Sequence, residues 1–140
     1  MSATPAKSGC VLLADRHHGL TEGLRGLLGT RFDKVFMVTD EASAVEGAQR
    51  LLPALIVVEL GLVPGDAAGL VRRLRAVAGS AKLLLLSVHD EASVARAALD
   101  AGADGVVLER LVATDLLPGV EHVLGGATFL SRPLRGHTAK

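Results

Sequence analysis

The chain has 140 residues, of which 49% are hydrophobic and 21% are charged, and this combination argues against an intrinsically disordered protein. Its length is sufficient for one domain with a hydrophobic core. Fifteen basic and fifteen acidic residues cancel, so the net charge does not indicate nucleic acid or an anionic membrane as a partner.

Five short apolar runs predict the strands of one β-sheet. Several of these runs are continuously apolar and do not alternate with polar residues, which is typical of parallel strands covered on both faces. The predicted strands are Cys10–Ala14 and residues 35–38, 55–58, 83–86 and 106–108.

Each predicted strand is followed by a segment whose apolar residues have helical spacing. The apolar positions are Leu20, Leu24, Leu27 and Leu28, then Val45, Ala48, Leu51 and Leu52, then Leu70, Leu74 and Val77, then the alanines of segment 91–101, then Leu116, Leu117, Val120 and Leu124. Strand and helix thus alternate five times, which predicts an α/β fold with right-handed crossovers and a doubly wound, five-stranded parallel sheet.

The ends of the chain differ in composition from its centre. Residues 1–8 and 131–140 are rich in small, polar and basic residues, so we expect flexible tails there and a single domain over residues 9–130. The last eight residues do not resemble a purification tag, and we therefore expect a stand-alone protein.

The single cysteine and the absence of long apolar runs bear on the compartment. Cys10 cannot form an internal disulfide, no apolar run reaches membrane-spanning length, and the first nine residues lack the core of a signal peptide. We expect a soluble, cytoplasmic protein without membrane contact.

Glu59 is the first candidate for a functional residue. It directly follows the apolar run 55–58, at the carboxyl end of a predicted central strand. Open α/β sheets bind their ligands in the crevice outside this edge of the sheet. A carboxylate there indicates a candidate functional site.

A series of short motifs extends over nearly the whole chain. They are Val11-Leu12-Leu13-Ala14-Asp15, His17-His18, Glu22-Gly23-Leu24-Arg25, Val63-Pro64-Gly65, Ser87-Val88-His89-Asp90, Ala101-Gly102-Ala103-Asp104-Gly105 and Gly126-Ala127-Thr128-Phe129-Leu130-Ser131. In order and spacing, residues 11–131 resemble the receiver domains of bacterial two-component response regulators, above all those that precede a helix-turn-helix DNA-binding domain. The resemblance implies the flavodoxin-like (βα)5 fold with strand order 2-1-3-4-5.

The resemblance also implies where the phosphorylation chemistry of a receiver would reside, and this chain departs from the family there. The equivalents of the phosphoacceptor aspartate, the acidic metal-binding pair, the hydroxyl residue, the switch aromatic and the phosphoryl-contacting lysine are, in that order, Glu59, Asp15 with Arg16, Ser87, Val106 and Glu109. Only Asp15 and Ser87 keep the residue type of the family.

These departures predict that Mg²⁺-dependent aspartyl phosphorylation is lost. The guanidinium of Arg16 cannot coordinate Mg²⁺, and Glu109 offers the wrong charge to a phosphoryl group. The extra methylene of Glu59 moves its carboxylate by about 1.5 Å, enough to disturb in-line attack. Glu59 is also a poor phosphomimic, because a phosphoryl group carries about −1.5 to −2 charges. We expect no enzyme activity, no metal and no other cofactor.

The charges left in this pocket allow two interpretations. Arg16 could form a bidentate pair with Glu59 or Glu109, which would replace the metal–phosphate cluster by an internal salt bridge. Alternatively, a pocket released from its chemistry carries arbitrary charges that point to water. Both interpretations remain open from the sequence.

The same residues allow three alternatives to a protein-binding function. A metal site of His17, His18 and His89 is disfavoured, because adjacent residues seldom chelate one ion together. A sensor that binds an acidic small ligand above Glu59 and Arg16 is the main alternative to protein binding. A receiver that still accepts phosphate is the least favoured, since it needs the missing Mg²⁺ site.

The predicted partners are proteins. In the family, the face formed by the fourth helix, fifth strand and fifth helix carries dimer and partner contacts, and here it contains the alanine-rich segment 91–101 and segment 112–124. We therefore expect a homodimer through this face, or binding to another receiver or to a histidine kinase. Direct binding of nucleic acid is not expected, because no recognition helix follows the basic residues near the C-terminus.

Overall fold

The structure is a computed structural model that describes residues 9–16 and 18–135, without the side chains of residues 18–20. The expected tail at residues 1–8 lies outside the described residues, as do His17 and residues 136–140. The strands are β1 (Cys10–Ala14), β2 (Lys34–Val38), β3 (Leu55–Glu59), β4 (Lys82–Ser87), β5 (Gly105–Leu108) and β6 (Phe129–Leu130). The helices are α1 (His18–Gly29), α2 (Glu41–Leu51), α3 (Ala67–Val77), α4 (Ala92–Ala101) and α5 (Val112–Leu124), and short 3-10 helices span Leu60–Leu62, Glu109–Leu111 and Arg132–Arg135.

The strands form one parallel sheet in the order β2-β1-β3-β4-β5-β6. The predicted order 2-1-3-4-5 is confirmed. The sixth strand was not predicted, because two residues are too short to show any period in the sequence.

Each face of the sheet is covered by helices. On one face, Leu24 and Leu28 of α1 pack with Leu116 and Val120 of α5. On the other face, α2, α3 and α4 contribute a second apolar cluster, Ala44, Ala48, Leu70, Leu74, Ala95 and Ala98. Both faces of the strands are therefore buried, which explains why their sequences are continuously apolar.

The predicted flexible tail at 131–140 is wrong over its first five residues. Ser131 is fully buried and Leu134 is 2% exposed. The N–H of Ser131 donates to the carbonyl of Val106 at 3.0 Å, and its hydroxyl accepts from the N–H of Leu108 and donates to Asp115. These contacts attach residues 131–135 to the sheet, so the ordered domain extends to residue 135. The prediction missed them because the segment is rich in basic and polar residues, which are typical of a solvent-exposed tail.

Among the described residues, none of the helices combines the length and the hydropathy of a membrane-spanning segment.

Helix α2 ends on a strained residue. Leu52 has φ 47° and ψ 56°, it is 76% exposed, and Pro53 follows it. A left-handed backbone conformation costs a residue with a Cβ about 1–2 kcal/mol of folding free energy. Because the Leu52 side chain is mostly exposed, hydrophobic burial offsets little of this cost.

We expect Leu52→Gly to raise the free energy of unfolding by about 1 kcal/mol, because glycine adopts this conformation without a steric penalty. Urea denaturation followed by circular dichroism measures the change. The matched control is Gln49→Gly at an exposed position inside α2, where glycine should lower stability by about 1 kcal/mol. The same sign for both variants would contradict the explanation.

Candidate functional site

The carboxyl ends of β1, β3 and β4 bring part of the predicted site together. Glu59 is the last residue of β3 and is 1% exposed. Its carboxylate accepts a hydrogen bond from the N–H of Gly61 at 2.6 Å. Glu59 therefore caps the 3-10 helix Leu60–Leu62, and its side chain folds back over its own loop.

This position of the carboxylate depends on a neighbouring glycine. A Cβ at residue 61 would lie 2.6 and 2.8 Å from the two carboxylate oxygens of Glu59. A larger residue would force the carboxylate away from its bond to the main chain. Gly61 is not part of any motif named above, although its position two residues after a strand-end carboxylate fits a side-chain cap.

The acidic-pair equivalents occupy different environments. Asp15 is 2% exposed, and its N–H donates to the carbonyl of Val38 at 3.1 Å. The Arg16 side chain is exposed. Within the described part of the chain, the arginines that form ion pairs are Arg31, Arg50, Arg73, Arg75 and Arg110.

The hypothesised pair of Arg16 with Glu59 or Glu109 is therefore not formed. The physical reason is the different environment of the two side chains. The Glu59 carboxylate accepts a hydrogen bond from the Gly61 N–H, whereas the Arg16 side chain is exposed to solvent.

Ser87 at the end of β4 is engaged locally. Its hydroxyl donates to the carbonyl of His89 at 2.8 Å and accepts from the N–H of the same residue at 3.1 Å. Both polar functions of the side chain thus fix the turn that leads to α4.

The switch-equivalent positions lie beside this turn. Val106 is 1% exposed and packs in the apolar cluster under α4, between Leu85 on one neighbouring strand and Leu130 on the other. Glu109 begins the 3-10 helix after β5 and is partly buried.

An ion pair joins the two loops at this end of the sheet. Arg110 lies 3.3 Å from Asp90, so the loop after β5 is tied to the loop after β4. The two side chains are 54% and 58% exposed, and water screens such a pair strongly. This pair has no signal in the sequence, because the two residues are 20 positions apart.

A groove of about 760 Å³ opens between the loop after β3 and the first turns of α4. Of the six predicted site residues, Arg16, Glu59 and Ser87 line it, whereas Asp15, Val106 and Glu109 do not. The rest of the lining comes mainly from residues 60–68 and from residues 88–97.

The residue types at the predicted metal site differ from those of a magnesium site in one position, Arg16. A magnesium site needs several oxygen ligands in octahedral geometry, and a guanidinium stands where the second acidic ligand would be. Residues 9–16 and 18–135 hold no cluster of three histidine, cysteine, aspartate or glutamate side chains suited to a metal ion. The disfavoured histidine site involves His17 and the side chain of His18, which lie outside the described residues.

The sequence matches the family model described as response regulator receiver domain over residues 11–120. It is 31% identical over 127 residues to the transcriptional activator protein ExaE of Pseudomonas putida, covering 89% of this chain and 59% of that protein. It is 30% identical over 128 residues to the nitrate/nitrite response regulator protein NarL of Escherichia coli K12, covering 89% and 58%. The chain thus spans a little over half the length of these curated relatives.

Solved structures agree with this family match. A LuxR-family two-component response regulator from an Aurantimonas species superposes with a TM-score of 0.81 at 25% identity, covering 90% of this chain and 91% of that chain. The RcsB response regulator of Salmonella typhimurium superposes with a TM-score of 0.82 at 18% identity, covering 93% and 66%, and supports the fold alone.

Proposed function

The chain belongs to the response regulator receiver domain family, and on this premise we propose that it is a signalling module that works without Mg²⁺-dependent aspartyl phosphorylation. Its role in two-component signalling is then to bind other proteins in the cytoplasm. We assign it no enzyme activity and no metal cofactor.

The observation that carries this proposal is the state of Glu59. The residue at the phosphoacceptor position is a buried glutamate whose carboxylate accepts the Gly61 N–H at 2.6 Å. An attacking carboxylate must point at the incoming phosphorus in line with the leaving group, and positioning supplies much of the catalysis in phosphoryl transfer. A carboxylate that caps its own loop is withdrawn from that position.

The surrounding charges support the same proposal. Arg16 replaces a metal ligand by a fixed cation, and Glu109 replaces the lysine by an anion. Phosphoryl transfer is accelerated by cations that neutralise the spread negative charge, so both replacements act against it.

The face expected to carry partner contacts comprises α4, β5 and α5. Strand β6 pairs with the outer edge of β5, so this edge is covered by the chain itself. We propose that partner contacts at this face use the exposed sides of α4 and α5, with a second copy of the chain, another receiver or a histidine kinase as the partner.

The test is intact-mass spectrometry after incubation with Mg²⁺ and acetyl phosphate. We expect the wild type to remain unmodified, while a variant that combines Arg16→Asp, Glu59→Asp and Glu109→Lys gains the mass of one phosphoryl group. A phosphorylatable receiver of the same family serves as the positive control for the reagent.

A phosphoryl adduct on the wild type would overturn the proposal and restore an ordinary phosphorelay role. The single variant Glu59→Asp separates the contributions, because it restores the phosphoacceptor but leaves Arg16 in the metal position. We expect it to stay unmodified.

A further inference from the structure

We propose that the groove lined by Arg16, Glu59 and residues from the segments 60–68 and 87–97 binds a small organic acid with an apolar body and one carboxylate. The groove contains the phosphoacceptor-equivalent Glu59 and the hydroxyl residue Ser87, but the proposed ligand takes no part in phosphorylation. The proposal does not depend on the signalling role proposed above.

The walls of the groove are suited to an apolar body. Val63, Pro64 and Val94 line it, together with Val88. Val88 is 56% exposed, and among the described residues the other exposed large hydrophobic side chains are Met37 and Leu52. An apolar ligand in the groove would remove Val88 from water, which contributes about 25 cal/mol per Å² of buried surface.

The size of the groove fits a small molecule. Its volume of about 760 Å³ lies within the range of about 300–1,000 Å³ that is common for ligand pockets. The residues that leave this space open are small, since Ala67, Ala68, Ser93 and Ala97 line the facing sides of α3 and α4.

Arg16 supplies the charge for the carboxylate. It is exposed, it lines the groove, and it is absent from the ion pairs formed between the described residues. Its guanidinium can hold a carboxylate by two parallel hydrogen bonds. Ser93 and Val94 in the first turn of α4 line the groove, so the positive end of the dipole of α4 adds a favourable field for an anion.

The acidic residues in the lining limit the ligand to a single negative charge. The Glu59 carboxylate accepts the Gly61 N–H, and Asp66 lies 3.2 Å from Arg73, but Glu91 is exposed at the rim. The electrostatic repulsion between these carboxylates and a phosphate dianion would be about twice that for a monocarboxylate, because the dianion carries two charges. A monocarboxylate can still pair with Arg16.

The experiment is isothermal titration calorimetry of the full chain with sodium octanoate and with the uncharged analogue octanol. We expect saturable binding of octanoate and binding of octanol weakened at least about tenfold, as the loss of a charged hydrogen bond predicts. Butanoate should bind more weakly than octanoate, because it covers less of the apolar wall.

Two pairs of variants locate the site. Arg16→Gln should weaken octanoate binding about tenfold or more, whereas Arg25→Gln, which removes an exposed arginine from α1, should leave it unchanged. Ala97→Leu should block the groove, whereas Ala113→Leu at an exposed position of α5 should not. Glu91→Gln should tighten binding, since it removes the opposing charge.

Circular dichroism of each variant confirms that a loss of binding does not come from a loss of fold. The proposal is overturned if octanoate does not bind, if octanol binds equally well, or if Arg16→Gln binds octanoate as the wild type does. None of these outcomes bears on acetyl phosphate labelling, so this proposal and the proposed function can fail separately.

Discussion

Gly105→Ala is expected to lower the free energy of unfolding by about 2–3 kcal/mol, although it adds only one methyl group. A Cβ at this first residue of β5 would lie 2.8 Å from the carbonyl oxygen of Phe129 and 2.9 Å from a methyl carbon of Leu84. The Phe129 oxygen belongs to the main chain of β6, which cannot move without breaking its pairing with β5. Urea denaturation monitored by circular dichroism measures the loss.

The control for this prediction is Gly26→Ala in α1, the same chemical change at a position with nothing within 4 Å of the new Cβ. Alanine favours a helix over glycine by about 1 kcal/mol, so this variant should be more stable than the wild type. If the free energy of unfolding falls for Gly105→Ala and rises for Gly26→Ala, the loss at Gly105 comes from crowding and not from a general effect of replacing glycine by alanine. A stable Gly105→Ala variant would mean that β6 does not pack against β5 in this way.

Arg75→Ala is expected to lower the free energy of unfolding by about 2–3 kcal/mol. The Arg75 side chain connects α3 to the segments that precede β4 and β5, at the amino ends of these strands. The guanidinium donates to the carbonyls of Gly102 at 2.8 Å and of Ala81, and it pairs with Asp104. Asp104 in turn accepts the N–H of Leu83 at 2.9 Å. Removal of Arg75 would leave these partly buried acceptors without their donor.

Arg72→Ala on the same helix is the matched control, since Arg72 is exposed and its loss should change stability by less than about 0.5 kcal/mol. Arg75→Lys adds a second comparison. It keeps the charge but not the planar fork, so we expect it to recover only part of the loss. Equal destabilisation by Arg72→Ala and Arg75→Ala would show that the network contributes nothing beyond one helical arginine.

Most of the fold could be predicted because its signals repeat along the chain. Buried parallel strands such as β3 and β4 are continuous apolar runs, and helices such as α3 carry apolar residues every three or four positions. Strand β6 gave no such signal. Its place is fixed by contacts far along the chain, such as the bond from Ser131 to Val106, and a single sequence does not display these contacts.

The candidate site was predictable in position but not in geometry. Topology alone places Glu59 and Ser87 at the same edge of the sheet, since parallel strands end together. The direction of each side chain depends on short-range bonds that the sequence does not specify. Glu59 turns to the Gly61 N–H and Ser87 to His89. The hypothesised partner Arg16 is exposed instead and takes part in none of the ion pairs between the described residues.

The short strand β6 also determines how this sheet can meet other sheets. An open strand edge is a template for further chains, and proteins limit it with short strands, charges and prolines. On one side of this sheet the last strand has two residues and is followed by Pro133, so it offers almost no template. On the other side β2 has five residues, with Lys34 and Met37 exposed. Among the described residues, β2 is therefore the edge better suited to edge-to-edge association. Two copies that join there would leave only the two-residue strands β6 at their outer edges, which are poor templates for the growth of a fibre.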